Sequence, residues 1–139
     1  MEKTTLLSKL DSLADLLNKL KEILQEHGQN TSLQEFLLYA AEKKAEEVVE
    51  LAVSLNQELL RQKGKLSGSY YDSFIDLKLF SAFSEPELKE LASTAGFRNR
   101  LAHDYLEINP QLALQTMKRM VKIYPTYLQN IKKIISKRK

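Results

Sequence analysis

The sequence predicts an all-α protein, an up-and-down bundle of four to five helices. Apolar residues recur at helical spacing over long uninterrupted stretches, and no segment alternates like a convincing strand. Four glycines and three prolines in 139 residues leave little turn chemistry. The breaks that do occur sit beside residues that cap helices, such as Asn30, Ser84 and Asn109.

The first helix is expected at about 4–26. Leu6, Leu10, Leu13, Leu17, Leu20 and Leu24 alternate by four and three, and Leu7, Leu16 and Ile23 widen that stripe. The segment "HGQNTS" ends it: Gly28 suits a C-terminal cap, and Asn30, Thr31 or Ser32 suits the start of the next helix. The second helix is expected at about 32–62. Phe36, Leu37, Ala40, Ala41, Ala45, Val48, Ala52, Leu55 and Leu59 lie along one side, and the alanines imply a closely approaching neighbour. Gly64 and Gly68 then break the pattern. A shorter helix follows at about 69–82. Ser84 opens another, with Glu87 at the capping-box spacing and Pro86 in the first turn. Asn109 and Pro110 open the last, whose apolar positions run from Leu112 to Ile135. Pro125 falls inside it and predicts a kink or a short break. The length suits a single domain, 1–139, with a core that needs neither metal nor disulfide.

Several function classes drop out on composition. There is no cysteine, so disulfides and thiolate chemistry are excluded. The N-terminus lacks an apolar signal-peptide core, and no window approaches the roughly 18 apolar residues of a membrane span, so a cytoplasmic protein with no membrane partner is expected. No carboxylate–histidine spacing suggests a metal site, no glycine-rich loop suggests a phosphate cradle, and no cofactor is expected. The net charge of +3 and pI of about 9.0 are compatible with an RNA partner.

One stretch carries candidate chemistry: "FRNRLAHDY", residues 97–105. On a helix, with Arg98 at 0°, Asn99 falls at about 100°, His103 at about 140° and Tyr105 at about 340°. Asn99 and His103 are i, i+4 neighbours, and Ala102 leaves space between the two stripes. Phe97, Leu101, Arg100 and Asp104 take the other side, the last two as a further i, i+4 pair. Arginine can fork onto a phosphate, histidine can pass protons near neutrality, asparagine can hold the histidine, and tyrosine offers a hydroxyl. Cleavage of RNA by its own 2′-hydroxyl needs little more than a proton shuttle and a cation on the phosphate. A polar seam between helices would use the same residues. Elsewhere, His27 reads as a helix-end residue, Tyr70 and Tyr71 as packing, and the basic tail from Lys132 as a solvated helix end.

Arg98, His103 and Tyr105 spell R-x-x-x-x-H-x-Y within "AGFRNRLAHDYLEIN", between a helix opened by Ser-x-Pro-Glu and one opened by Asn-Pro. This order resembles the HEPN superfamily, specifically the HepT-like toxins, over most of the chain. The resemblance implies a helical homodimer with the motif at the dimer cleft. It implies the toxin of a type VII HEPN/MNT toxin–antitoxin system, a metal-independent endoribonuclease that leaves 2′,3′-cyclic phosphate ends. On that analogy Arg98 stabilises charge on the phosphorane, His103 transfers the proton and Asn99 orients it. The cognate partner would be an MntA-like nucleotidyltransferase antitoxin that transfers AMP to Tyr105. A non-catalytic nucleotide-binding or docking subunit for such a nucleotidyltransferase is the alternative, and a purely structural helical dimer is a third.

Overall fold

The computed structural model describes residues 2–103 and 108–137. Five α-helices make up this part of the chain: α1 (Lys3–Gln29), α2 (Gln34–Gln62), α3 (Tyr70–Ile75), α4 (Glu85–His103) and α5 (Pro110–Ser136), with no strand among the described residues. None of these helices is long and apolar enough to cross a membrane.

The leucine seam of α1 explains how the bundle begins. All six leucines at the four-three spacing are buried, each worth roughly 1.5–3 kcal/mol against an exposed side chain. They meet both α2 and α5. Lys3 Nζ donates to the Ser136 carbonyl and Lys9 Nζ to Ser54 Oγ (3.0 Å), so α1 runs antiparallel to both neighbours. Ala41, Ala45 and Ala52 are fully buried, as close helix approach requires.

The ends of the helices match the sequence in some places and correct it in others. At the end of α2, Gly64 adopts φ +77°, its N–H donates to the Arg61 carbonyl, and that of Lys65 donates to Leu60. This is a Schellman cap, in which a left-handed residue lets the last carbonyls be satisfied. The Ser84–Glu87 capping box is closed in both directions, and Asn109 Oδ1 accepts from the N–H groups of Gln111 and Leu112. Gly28, by contrast, lies inside α1. That helix ends at Asn30, which turns to extended backbone while its N–H still donates to Glu26. A 3₁₀ turn over Thr31–Leu33 delays α2 to Gln34, and Ser32 donates to Asn30 instead of capping α2. Phe36, expected in the core stripe, is 68% exposed, because the buried side of that turn belongs to Leu37 next to it. The helix expected at 69–82 is six α-helical residues followed by a 3₁₀ segment over Asp76–Phe80, closed by Ser81 in the left-handed region. At Pro125 no break occurs; α5 continues through it.

A buried polar chain ties three helices together behind the motif. The Tyr127 hydroxyl lies 2.6 Å from Asn56 Oδ1 and 3.1 Å from the Ala52 carbonyl. Asn56 Nδ2 donates to Ser73 Oγ, which donates to the Tyr70 carbonyl at 2.7 Å. Thr94 Oγ1 donates to the Leu91 carbonyl, which leaves the Tyr124 hydroxyl as donor in the 2.8 Å contact between α4 and α5. Burial pushes both phenols up, so they remain neutral donors.

Candidate active site

The C-terminal half of α4 has a core side and an exposed side. Thr94, Phe97 and Leu101 are buried. Asn99, Arg100, Ala102 and His103 are exposed, and Arg98 sits at the boundary with 20% of its side chain accessible.

Arg98 is the most constrained of the candidates. Its Nε and Nη2 both donate to Glu50 Oε1 on α2, at 3.2 and 2.5 Å. Its guanidinium carbon lies 5.1 Å from the centre of the Tyr70 ring on α3, a cation–π distance. The hydrogen bonds to Glu50 hold its pKa above the ordinary arginine value, so the charge is permanent. Tyr70 is itself placed by the Ser73–Asn56–Tyr127 chain. Helices α2, α3 and α5 therefore all help to set where one cation points.

The remaining motif residues are only partly brought together. Asn99 Oδ1 accepts from Arg98 Nη1 at 3.4 Å; no hydrogen bond joins Asn99 to His103. His103 is exposed and makes no hydrogen bond or ion pair among the described residues. Tyr105 and Asp104 lie outside the described residues. Of the two neighbours of Arg98, Glu50 was not singled out by the sequence, and Tyr70 was read there only as packing. Nothing in local spacing connects them to Arg98, and the acidic run Glu46, Glu47, Glu50 reads equally well as a solvated face.

The electrostatics around Arg98 are unusual for a phosphate site. Glu46 and Glu50 both act on its charge. Glu42 lies on the same side of α2, where burial and then Glu46 push its carboxyl up. A small cleft of about 280 Å³ opens between Tyr39, Glu42, Lys43, Glu46 and Leu101. One chain thus offers Arg98, and Lys43 paired with Glu46, beside several carboxylates.

Chemically, the arrangement supplies an oriented guanidinium and, on the same helix end, an accessible imidazole. Comparison with known proteins points to a ribonuclease. The family model described as "Ribonuclease HepT-like" matches residues 13–134. The chain is 25% identical over 130 residues to a tRNA nuclease HepT from Aphanizomenon flos-aquae (strain 2012/KM1/D3), covering 89% of this chain and 85% of that one. In fold it is similar to a tri-AMPylated Shewanella oneidensis HEPN toxin solved in complex with an MNT antitoxin, with a TM-score of 0.73 and 18% identity over 92% of this chain and 96% of that one. The all-α expectation and the HEPN resemblance are thereby borne out, and the chain belongs to the HepT-like ribonuclease family.

Proposed function

We propose that the protein is the toxin of a HEPN/MNT toxin–antitoxin pair and cleaves RNA without a metal, through Arg98 and His103. The observation that carries this reading is the anchoring of Arg98 by Glu50 and Tyr70. A guanidinium has five N–H donors. Glu50 takes the Nε–Nη2 edge and Asn99 one hydrogen of Nη1, which leaves two N–H groups for the non-bridging oxygens of a phosphodiester.

In the proposed reaction His103 removes the proton from a ribose 2′-hydroxyl. The oxygen attacks the adjacent phosphorus, and Arg98 stabilises the charge that grows on the phosphorane oxygens. The bond to the 5′-oxygen breaks, and that oxygen takes up a proton from an imidazolium. The products are a 2′,3′-cyclic phosphate and a 5′-hydroxyl. Asn99, bonded to Arg98, serves as a positioning residue at the same helix end.

A single chain presents one arginine among glutamates, which repels a polyanion. A homodimer with its twofold axis at this cleft brings a second Arg98 and a second His103 to the same phosphate. Transfer of AMP to the Tyr105 hydroxyl by a nucleotidyltransferase partner would add a negative phosphodiester to the motif and so oppose binding of a polyanionic substrate. The solved relative is itself AMPylated and bound to an MNT antitoxin, which supports this form of control. The curated relative's name makes tRNA the substrate to try first.

The test is product analysis. Wild-type protein, shown by intact mass to carry no AMP, is incubated with tRNA in excess EDTA. Cyclic phosphate and 5′-hydroxyl ends are expected. Products with 3′-hydroxyl ends, or cleavage only after metal addition, would remove the mechanism and favour the docking-subunit reading.

A further inference from the structure

Far from Arg98, a groove of about 700 Å³ opens where the C-terminal ends of α2 and α5 meet the 3₁₀ segment after α3. Lys63, Lys133 and Lys137 converge on it, with Asn130 beside them and Leu79 and Phe80 forming an apolar wall. Lys63 Nζ stands 5.5 Å from the centre of the Phe80 ring. No carboxylate lines the groove, and none of the three lysines has an ion-pair partner among the described residues.

Each lysine taken alone has an ordinary explanation, since cations near helix C-termini offset the helix dipole. That explanation does not require three cations from two helices to share one concavity, nor an aromatic wall between them. Unpaired ammonium groups around a groove with an apolar side suit a polyanion whose phosphates meet the lysines while a base or sugar lies on the wall.

We propose that this groove is an RNA-binding exosite that docks a folded substrate away from the scissile bond. The inference rests on the ribonuclease reading and deepens it. Leu59 and Lys63 lie roughly 180° and 220° around α2 from Glu50, and about 14–20 Å along it. A short strand held at Arg98 runs out before it can turn that corner, whereas a folded RNA spans both sides. The groove therefore selects for size and fold, and Arg98 with His103 acts on the bond that this docking presents.

The test compares tRNA binding by His103→Ala protein, which blocks turnover, with the same protein carrying Lys63→Gln, Lys133→Gln and Lys137→Gln. At low salt the triple change is expected to weaken binding at least tenfold. It should also make the plot of log affinity against log salt shallower by about 2–3, since three phosphate contacts are lost. The corresponding Lys→Arg triple keeps its charges and should bind like the parent. With an active His103, the glutamine triple should cleave a short oligonucleotide at the wild-type rate but tRNA more slowly. Unchanged tRNA affinity and salt slope in the glutamine triple would overturn the proposal. So would displacement of tRNA from the groove by AMP alone, which would make it a mononucleotide pocket. Loss of binding in the triple together with no cleavage by wild type would leave the groove standing and remove the ribonuclease reading.

Discussion

In the proposed reaction Glu50 and a substrate phosphate would share the Arg98 guanidinium, each at a different edge. Glu50 holds Nε and Nη2 through one oxygen, which fixes the direction of the opposite end. Arginine carries about 2 kcal/mol of rotamer entropy, so releasing it should matter to the transition state more than to binding. In Glu50→Gln we expect kcat to fall roughly tenfold while KM stays level or drops, because a competing carboxylate has gone. A rise in KM with kcat intact would instead make Glu50 a general contributor to substrate binding. At this scale the sequence was informative about residue type and little else. Arg98, Asn99 and His103 could be read because they are close in the chain and the helix period relates them. Glu50 lies 48 residues away, and only the packing of α4 on α2 brings it in. The i, i+4 logic that paired Asn99 with His103 met a competitor, since Asn99 bonds to Arg98 instead.

Among the elements, α4 and α5 were the most legible, because their starts are specified by side chains that satisfy the free N–H groups of a first turn. Ser84 and Glu87 do this for α4, Asn109 for α5. The connection from α1 to α2 was less so. Gly28 has open space at the position of a Cβ and no left-handed backbone, so the residue type suggested a cap that the chain does not use. Likewise the run after Ser69 has helical periodicity but tightens to 3₁₀ at Asp76. Pro125 offers a direct test. It is exposed, lies within a continuous helix and deprives the Val121 carbonyl of its i+4 donor. Pro125→Ala should raise stability by about 1–3 kcal/mol in denaturant titration. No gain would mean that the helix has already satisfied that carbonyl in another way.

For the molecule as a whole, the leucine seam and the alanine stripe foretold a helical bundle, but the polar chain through its centre was not foreseeable. Asn56 and Ser73 look like surface residues in sequence and are fully buried. Tyr127 sits against Phe74, Phe83 and Tyr124 and ends that chain. Tyr127→Phe keeps the rings but removes the proton shared with Asn56 and Ala52, at an expected cost of about 1–3 kcal/mol. Because the chain also supports Tyr70, cleavage should decline in the same variant beyond what unfolding explains; a melting temperature equal to wild type would show that the bond contributes little. On the proposed function the exposed end of α4 is where RNA is cut. Single-turnover cleavage of tRNA in excess EDTA, wild type against His103→Ala, addresses it most directly. A loss of at least about 100-fold is expected with an unchanged melting temperature, because His103 is exposed and bonded to nothing described. Cleavage by His103→Ala within a few-fold of wild type would contradict the account.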